Sequence, residues 1–269
     1  MSASLSTRPA AVAGAFYPAA AAVLRRDVAR LLESTAGSAA TPKALVVPHA
    51  GYVYSGAVAA TAYAQLRNAT GIHRVVLIGP SHRVGFHGLA VPSVDRFETP
   101  LGSIAIDADL RRAALAEPGV IASDRAHELE HSLEVQLPFL QSVLADFTLL
   151  PLVAGDAAPR EVARVLERVW GGRETLLVIS TDLSHFLDYQ AANARDAATC
   201  RRIATFATDL DGYDACGCIG LNGFLLAAHA HGLTVRELAR CNSGDTAGDR
   251  NRVVGYGAFG FYAQESADD

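Results

Sequence analysis

The sequence is poor in cysteine and in aromatic residues, and it has no long apolar run. Its 269 residues include four cysteines, and Phe, Tyr and Trp together make up 7%. Four cysteines in a chain of this length do not make a disulfide scaffold, which favours a reducing compartment. No apolar stretch is both long enough and free enough of charge to span a bilayer. The Ala-rich opening carries its positive charge mostly after its apolar segment, the reverse of a secretory signal. The sequence therefore predicts a cytoplasmic protein without a membrane partner.

Basic residues are also in short supply. Lys and Arg number 23 against 28 Asp and Glu, which gives a net charge of -5 and a pI near 6.0. Nucleic-acid binding needs a basic patch, so we expect no nucleic-acid partner. The glycine-rich segment 243–251 lacks the lysine of a phosphate-binding loop, and 255–261 does not stand between a strand and a helix. Neither segment supports nucleotide binding.

What the sequence does have is apolar residues, in short runs that alternate with helical patterns. Half of the residues are hydrophobic, enough to bury a sizeable core. Runs near 44–47 and 75–78 are rich in Val, Ile and Leu and are closed by Pro or Gly, as strands buried on both faces are. Ser55 is predicted to cap the helix between them. This alternation predicts an α/β fold with a central, mostly parallel or mixed sheet flanked by helices on both faces.

We expect one domain over residues 1–269, with its core at about 14–262. A second long helical pattern over 127–144 is interrupted by Pro138. Further strands and helices follow it in alternation, and no low-complexity linker divides the chain.

Three of the apolar runs end in a turn that carries a histidine. The first run ends at His49 and the second at His82, and the third ends in a turn with Asp182 and His185. In open α/β sheets, ligands bind in the crevice beyond the carboxyl ends of the strands. Neutral imidazole is the commonest protein ligand for iron, zinc and copper. The pattern therefore predicts a metal or acid–base site at this edge of the sheet, although a turn or packing histidine is the simpler interpretation of each residue alone.

Other chemistry-bearing motifs have less support. Residues 127–131 match the zincin pattern H-E-x-x-H, with Glu128 as the base, but no third ligand follows at the required spacing. The simpler interpretation is a solvated first turn of a helix. Ser81 and Ser184 each precede a histidine directly and lie outside a nucleophile elbow, which argues against a serine hydrolase. Cys216 and Cys218 lack a second cysteine pair, so we interpret them as small buried thiols at a helix start.

Several motifs, in order, resemble those of the MEMO-like family, whose prokaryotic members are also called AmmeMemoRadiSam system protein B. They are GAFYP, PHAGYVYSG, IGPSH, EHSLEVQLPFL, STDLSH, the CG pair at 216–217, and NSGDTAGD. The resemblance covers about residues 14–261. The family is similar in fold to class III extradiol ring-cleavage dioxygenases, which hold non-haem Fe(II) with two histidines and one carboxylate.

The resemblance implies roles for individual residues. His49 and His82 correspond to the two imidazole ligands. His185 corresponds to the acid–base histidine, supported by Asp182, and His131 is implied to line the same pocket.

The third ligand is where this sequence departs from its eukaryotic relatives. They place a cysteine about where Thr246 stands here, and threonine is a poor ligand. Asp245 is the expected replacement, because a carboxylate restores a two-His-one-carboxylate set. Cys241 is the second candidate, and a weak or absent metal site is the remaining alternative.

The function implied is that of a dioxygenase-like redox enzyme with a mononuclear metal site and an unidentified substrate. Fe(II) is the expected metal, with Cu and Zn as alternatives. One rival is a non-catalytic binding protein that uses the same pocket for a peptide or an anion, since eukaryotic relatives are associated with phosphorylated receptor peptides. Another is zinc-dependent hydrolysis at the same site. The family resemblance also implies radical-SAM pathway partners.

Overall fold

The computed structural model describes residues 5–35, 37 and 40–264. The strands are β1 (Thr7–Arg8), β2 (Ala44–Val47), β3 (Arg74–Pro80), β4 (Leu89–Val91), β5 (Arg96–Thr99), β6 (Gly102–Ala105), β7 (Val120–Ala122), β8 (Thr148–Ala154), β9 (Thr175–Ser180), β10 (His185–Leu187), β11 (Thr234–Asn242) and β12 (Val253–Tyr262). The helices are α1 (Ala21–Glu33), α2 (Tyr52–Tyr63), α3 (Ala108–Leu115), α4 (Asp124–Glu128), α5 (His131–Glu134), α6 (Leu137–Val143), α7 (Pro159–Arg168), α8 (Tyr189–Ala204) and α9 (Cys218–Ala230), and 3₁₀ turns lie at Ala64–Leu66 and Ser243–Asp245.

The central sheet has the order β10-β12-β2-β9-β3-β8-β4-β7, and β11 pairs with the other side of β12. Its middle strands β2, β9, β3 and β8 are parallel, so their carboxyl ends meet at one edge. The flanking strands β12 and β4 run antiparallel to their neighbours β2 and β8. The sheet is therefore mixed with a parallel centre, as the sequence predicts.

Each central strand is buried on both faces because its alternate side chains enter two different apolar clusters. Leu45 and Val47 of β2 pack with helices α1, α2 and α6 on one face. Ala44 and Val46 pack with α7, α8 and α9 on the other. The period of two along a strand explains why an uninterrupted Val/Leu/Ile run, and not an alternating one, produces these strands. The predicted α/β fold with helices on both faces of the sheet is confirmed, in keeping with the extradiol dioxygenase-like architecture that the resemblance implies.

The segment after β3, residues 89–105, divides between two sheets. Its first apolar part is β4, which joins the central sheet beside β8. Its second part forms the antiparallel pair β5–β6, and β1 adds to β5 in a small separate sheet. The small sheet therefore brings the amino-terminal segment against the middle of the chain.

Two local predictions are wrong. Ser55 is not a helix cap, because α2 begins at Tyr52 with Gly51 at the N-cap. The Ser55 hydroxyl, within the helix, donates to the carbonyl of Ala50 just before it. The pattern over 127–144 is not one helix but parts of three, α4, α5 and α6. Pro138 lies in the first turn of α6, where its missing N–H removes no helical hydrogen bond.

No helix in the described part of the chain has the length and apolarity needed to cross a membrane.

Candidate metal centre

Three imidazole rings converge beyond the carboxyl ends of the central strands. His49 follows β2, His82 follows β3, and His131 is the first residue of α5. One ligand nitrogen from each ring lies within 4.8 Å of those of the other two. The ring centroids are 5.1 Å apart for His49 and His82, 5.4 Å for His49 and His131, and 4.6 Å for His82 and His131. Among the residues that the structure describes, this is the cluster that could hold a metal ion.

The protonation of the buried His49 ring follows from its hydrogen-bond partners. Its Nδ1 lies 2.9 Å from the Ser180 hydroxyl at the end of β9. That hydroxyl donates its proton to the Ser132 carbonyl at 2.6 Å and accepts from the Gln136 amide at 2.9 Å. With its proton already committed, the Ser180 oxygen can only accept from Nδ1–H of His49. The Nε2 lone pair of His49 is thereby left to face a ligand.

Glu130 fixes the second ring in the same way. Its carboxylate accepts from His82 Nδ1 at 2.9 Å and from the His82 backbone N–H at 2.6 Å. It also accepts from the Ser132 backbone N–H at 2.9 Å. Burial alone would raise the pKa of Glu130, but the hydrogen bonds and charge of His82 lower it to about 2. The ionised carboxylate therefore holds Nδ1–H of His82 and leaves Nε2 as the donor, the arrangement that orients metal-binding histidines.

Burial keeps the rings of His49 and His131 neutral. It lowers the pKa of His131 to about 4, helped by the charge of His82. It also lowers the pKa of His49 well below its ordinary value, helped by the charges of His82, His131 and His185. The His131 ring packs on Phe16 with centroids 4.6 Å apart. Neutral imidazole is the form that binds metal ions, so the site is prepared for a cation at ordinary pH.

Asp182 and His185 lie beside the three rings. Asp182 Oδ1 accepts the His49 backbone N–H at 2.7 Å, and Oδ2 lies 3.9 Å from His49 Nε2. Burial raises the pKa of Asp182 to about 7 although the backbone N–H groups of His49 and Ala50 oppose this. Burial lowers the pKa of His185, and the charge of His82 lowers it further. A hydrogen bond with the Leu183 backbone opposes this shift. An acid with a raised pKa and a base with a lowered pKa therefore border the cluster.

A strained residue follows His185. Phe186 has a φ of 63°, in the left-handed region that bulky residues avoid. Its ring is 61% exposed and lies under the Arg252 guanidinium, 4.4 Å from the ring centroid. This conformation bends the chain at the end of the site and presents His185 from β10.

Asp245 lies in a different setting. It is exposed, and its carboxylate accepts from the Tyr189 hydroxyl at 2.6 Å and from the Asn242 backbone N–H at 3.1 Å. It thus closes the turn between β11 and β12. Cys241 is paired opposite Tyr256 within the sheet, and burial raises its pKa to about 11. The structure brings His131, and not Asp245, into the imidazole cluster, and a ligand role for Asp245 or Cys241 stays a prediction.

The zincin interpretation of residues 127–131 is wrong. His127 lies in α4 and His131 in α5, so the two rings do not share the face of one helix. His127 is buried, with Nε2 donating to the Ala90 carbonyl at 3.1 Å. The solvated first turn that we preferred is also wrong for these two residues, because one is core and the other is part of the cluster.

Sequence reasoning missed Glu130, the Ser180–Gln136 pair and the position of Cys216. The Cys216 sulfur lies 3.2 Å from His49 Nε2 and accepts the Asp182 backbone N–H at 3.3 Å. Burial raises the pKa of this thiol, and the charge of Asp182 raises it further. The CG pair at 216–217 was a signal for this residue, but the interpretation as a packing thiol at a helix start hid it.

The donor set fits a divalent transition metal. Imidazole nitrogen suits Fe, Cu and Zn, and in two of the three rings a buried partner accepts from Nδ1–H, so that Nε2 faces the metal position. The ionised Glu130 and the titratable Asp182 supply negative charge to offset that of a cation.

Sequence comparison connects this geometry to a known family. The profile described as "Memo-like protein" matches residues 8–259. A MEMO1 family protein of Aquifex aeolicus is 34% identical over 267 residues, which cover 94% of this chain and 98% of that protein. Another, from Methanothermobacter thermautotrophicus, is 34% identical over 275 residues, or 93% and 98% of the two chains. A third, from Caldivirga maquilingensis, is 33% identical over 279 residues, or 95% and 99%. This chain belongs to the Memo-like family.

Proposed function

We propose that this protein is a metal-dependent, dioxygenase-like redox enzyme that holds one non-haem iron ion between His49, His82 and His131. The observation that carries the proposal is the setting of two tautomers by buried partners, Ser180 for His49 and Glu130 for His82. A metal ligand must present an imidazole nitrogen without a proton, and a partner that accepts from Nδ1–H is the usual means of directing Nε2 to the metal.

His131 is our choice for the third donor because its nitrogen already lies within the cluster. Asp245 remains the alternative, because a carboxylate would restore a two-His-one-carboxylate set. Copper and zinc are the alternatives to iron, since both accept imidazole.

Fe(II), when bound, supplies electron transfer to dioxygen and polarises a substrate oxygen. The residues of the chain handle the protons. Asp182, with a pKa of about 7, can hold or release a proton beside His49 at neutral pH. His185, neutral at that pH, can accept a proton from a substrate hydroxyl. Glu130 stays ionised and keeps His82 in its tautomer throughout.

The cellular setting that we propose is the cytoplasm. All four cysteines are free thiols, as expected in a reducing compartment.

Iron loading tests the proposal directly. The protein is purified without oxygen, incubated with Fe(II), desalted and analysed for metal by mass spectrometry. We expect close to one iron per chain, and loss of that iron in His49→Ala. His73→Ala is the matched control, because His73 is an exposed histidine just before β3, at the opposite edge of the sheet. Full iron occupancy in His49→Ala contradicts the assignment.

Oxygen consumption tests the redox part. A panel of catechols is offered to the iron-loaded protein while dissolved oxygen is monitored, with His185→Ala as the variant that retains the three imidazoles. Uptake in the wild type and its loss in His185→Ala support a dioxygenase-like enzyme. Iron-dependent retention of a ligand without any oxygen uptake favours the binding protein instead.

A further inference from the structure

We propose that Cys216 is an additional ligand of the metal ion, bound as a thiolate, and that it biases the site toward thiophilic metals. This inference rests on the proposed metal site at His49, His82 and His131, and it concerns a residue that lies far from all three in the sequence.

The position of the sulfur is the first argument. Cys216 Sγ lies 3.2 Å from Nε2 of His49, the nitrogen that the Ser180 hydrogen bond leaves unprotonated. Two neighbouring ligands of a tetrahedral ion, with metal–nitrogen and metal–sulfur bonds of about 2.0 and 2.3 Å, are separated by about 3.5 Å. The sulfur is therefore already at the distance that a shared metal ion imposes on an imidazole and a thiolate.

The second argument is the way the backbone brings Cys216 to this place. The Cys216 N–H donates to the Asp182 carbonyl at 3.2 Å, and the Gly217 N–H donates to the Thr181 hydroxyl at 2.8 Å. A Cβ at Gly217 would lie 2.7 Å from the Ser180 carbonyl oxygen and 2.8 Å from Thr181 Cβ. A glycine at 217 is thus needed for the chain to lie this close to the end of β9. Because Gly217 lies against the end of β9, the sulfur of the preceding Cys216 lies next to His49.

The third argument is the chemistry of the hydrogen bond itself. Since Nε2 of His49 has no proton, the Cys216 S–H is the donor in this contact. A metal ion that takes the Nε2 lone pair removes the thiol's acceptor. The S–H bond then breaks, the sulfur forms a bond to the metal, and the proton passes to solvent. No electron is transferred, so the step needs no oxidant or reductant.

The sulfur stands outside the three-imidazole cluster, so coordination draws it from the Asp182 backbone toward the metal. The contacts it leaves are a 3.3 Å hydrogen bond from the Asp182 N–H and longer contacts with the Asp182 carbonyl at 3.8 Å and the Thr181 hydroxyl at 3.9 Å. Thiolate is a soft ligand that favours Cu(I), Zn and Fe over Mg and Mn. Cys216 therefore gives the site a selectivity that three imidazoles lack.

Cobalt substitution tests the inference without any enzymatic assay. The full-length protein is loaded with Co(II) in the absence of oxygen, and its absorption spectrum is recorded. A cobalt–thiolate bond adds a near-ultraviolet charge-transfer band that imidazole ligands do not produce. We expect this band in the wild type and its loss in Cys216→Ser. Cys218→Ser is the matched control, because Cys218 is another partly buried cysteine two residues away and lies at the start of α9.

A second measurement uses the wild-type protein alone and so does not depend on the folding of a variant. X-ray absorption at the zinc K-edge gives the metal–ligand distances in the Zn(II)-loaded protein. We expect one sulfur at about 2.3 Å beside nitrogens at about 2.0–2.1 Å.

The outcomes separate the inference from the proposed function. If Co(II) or Zn(II) binds with one ion per chain but the charge-transfer band and the zinc–sulfur distance are both absent, the thiolate assignment is overturned and the imidazole site stands. If neither ion binds, both are overturned. A band that is lost in Cys216→Ser, together with a zinc–sulfur distance in the wild type, supports both.

Discussion

The two ends of the parallel strands use the same kinds of side chain for different purposes. At the amino ends of β3 and β8, an open cleft of about 800 Å³ is lined by His73, Arg74 and Asp107 among others. Arg74 and Asp107 form an ion pair there at 3.2 Å, with the Arg74 side chain 36% exposed. At the carboxyl ends, His82 and Glu130 pair at 2.9 Å, with the Glu130 side chain 1% exposed.

The difference lies in what each carboxylate holds. Asp107 caps α3 by accepting the backbone N–H groups of Asp109 and Leu110, so its charge is used to start a helix. Glu130 is the N-cap of α5, and its carboxylate also accepts from the ring nitrogen Nδ1 and from the backbone N–H of His82. The charges at the amino ends thus serve a helix cap, whereas the buried cluster at the carboxyl ends has its ring orientations fixed by polar partners. The connections of the buried polar groups distinguish the two ends.

The largest contrast between the two ends is expected in stability. Glu134 of α5 is fully buried and pairs with the buried Arg8 at 2.6 Å. Glu134→Gln leaves the Arg8 charge without its partner, which costs about 3–5 kcal/mol in the free energy of unfolding. Arg74→Ala at the amino end breaks a partly exposed pair and costs about 1 kcal/mol or less. Urea unfolding of the metal-free proteins measures both, and equal losses would show that burial does not distinguish the two ends.

The next largest effect concerns the third ligand. His131→Ala is expected to weaken Fe(II) binding by more than about 100-fold, since loss of a mere orienting partner costs ~10–100-fold. Asp245→Ala is expected to leave the affinity unchanged, because that carboxylate is engaged by Tyr189 and Asn242. Anaerobic competition with a chromophoric chelator gives both dissociation constants. The reverse order would restore Asp245 as the ligand.

Removal of the orienting carboxylate should have an intermediate effect. Glu130→Gln keeps the size of the side chain but lets an amide face His82 Nδ1, and we expect the affinity for Fe(II) to fall by about 10–100-fold. The counterpart at the amino ends is Asp107→Asn, which weakens a helix cap and should leave the affinity for Fe(II) as it was. Calorimetric titration with Fe(II) gives the affinity of both variants. It decides whether a carboxylate that orients a metal ligand is found only at the carboxyl ends.

The most gradual effect is a pH dependence of stability, because it is spread over more than two pH units. His127, 2% exposed, has a pKa lowered to about 4 by burial, against 6.5 for the free side chain. The unfolded chain therefore binds more protons than the native one between pH 6.5 and 4. The stabilising contribution is complete above pH 6.5 and is lost as the pH falls toward 4, by about 1.4 kcal/mol per pH unit.

Replacing this histidine should remove that slope. His127→Gln is expected to flatten the fall in unfolding free energy over pH 6.5 to 4.5, whereas His87→Gln, which alters a histidine whose side chain is 91% exposed, should leave it intact. Urea unfolding at a series of pH values provides the comparison. An unaltered slope in His127→Gln would mean that other buried groups dominate acid unfolding.

The fold could be predicted from the sequence better than the partners of the site residues could. The strands β2 and β3 were recognisable because residues buried on both faces must be continuously apolar, and the histidines after them were expected at one edge. β11 was missed because its exposed, charged residues have no apolar pattern. Such a strand is specified by its pairing with β12 and not by its own composition.

The partners in the site could not be predicted for a related reason. Glu130 faces His82, and Cys216 faces His49, through contacts between segments far apart in the chain. Helical periodicity placed Glu130 on a continuous helix, yet the chain breaks between α4 and α5 so that this residue becomes a cap. Local patterns report which residues are apolar, and only the tertiary fold determines which polar residues meet.

The place of β12 in the sheet has a consequence for how the protein is made. Phe259 of this late strand pairs with Val46 of β2, one of the first strands to emerge from the ribosome. Until β12 is synthesised, one hydrogen-bonding edge of β2 has no neighbour, and unpaired edges invite association with other chains. Pairing between segments so distant in sequence is also slow. Nascent chains should thus be protected by a chaperone until translation has passed Tyr262, and truncation before that point should give insoluble material.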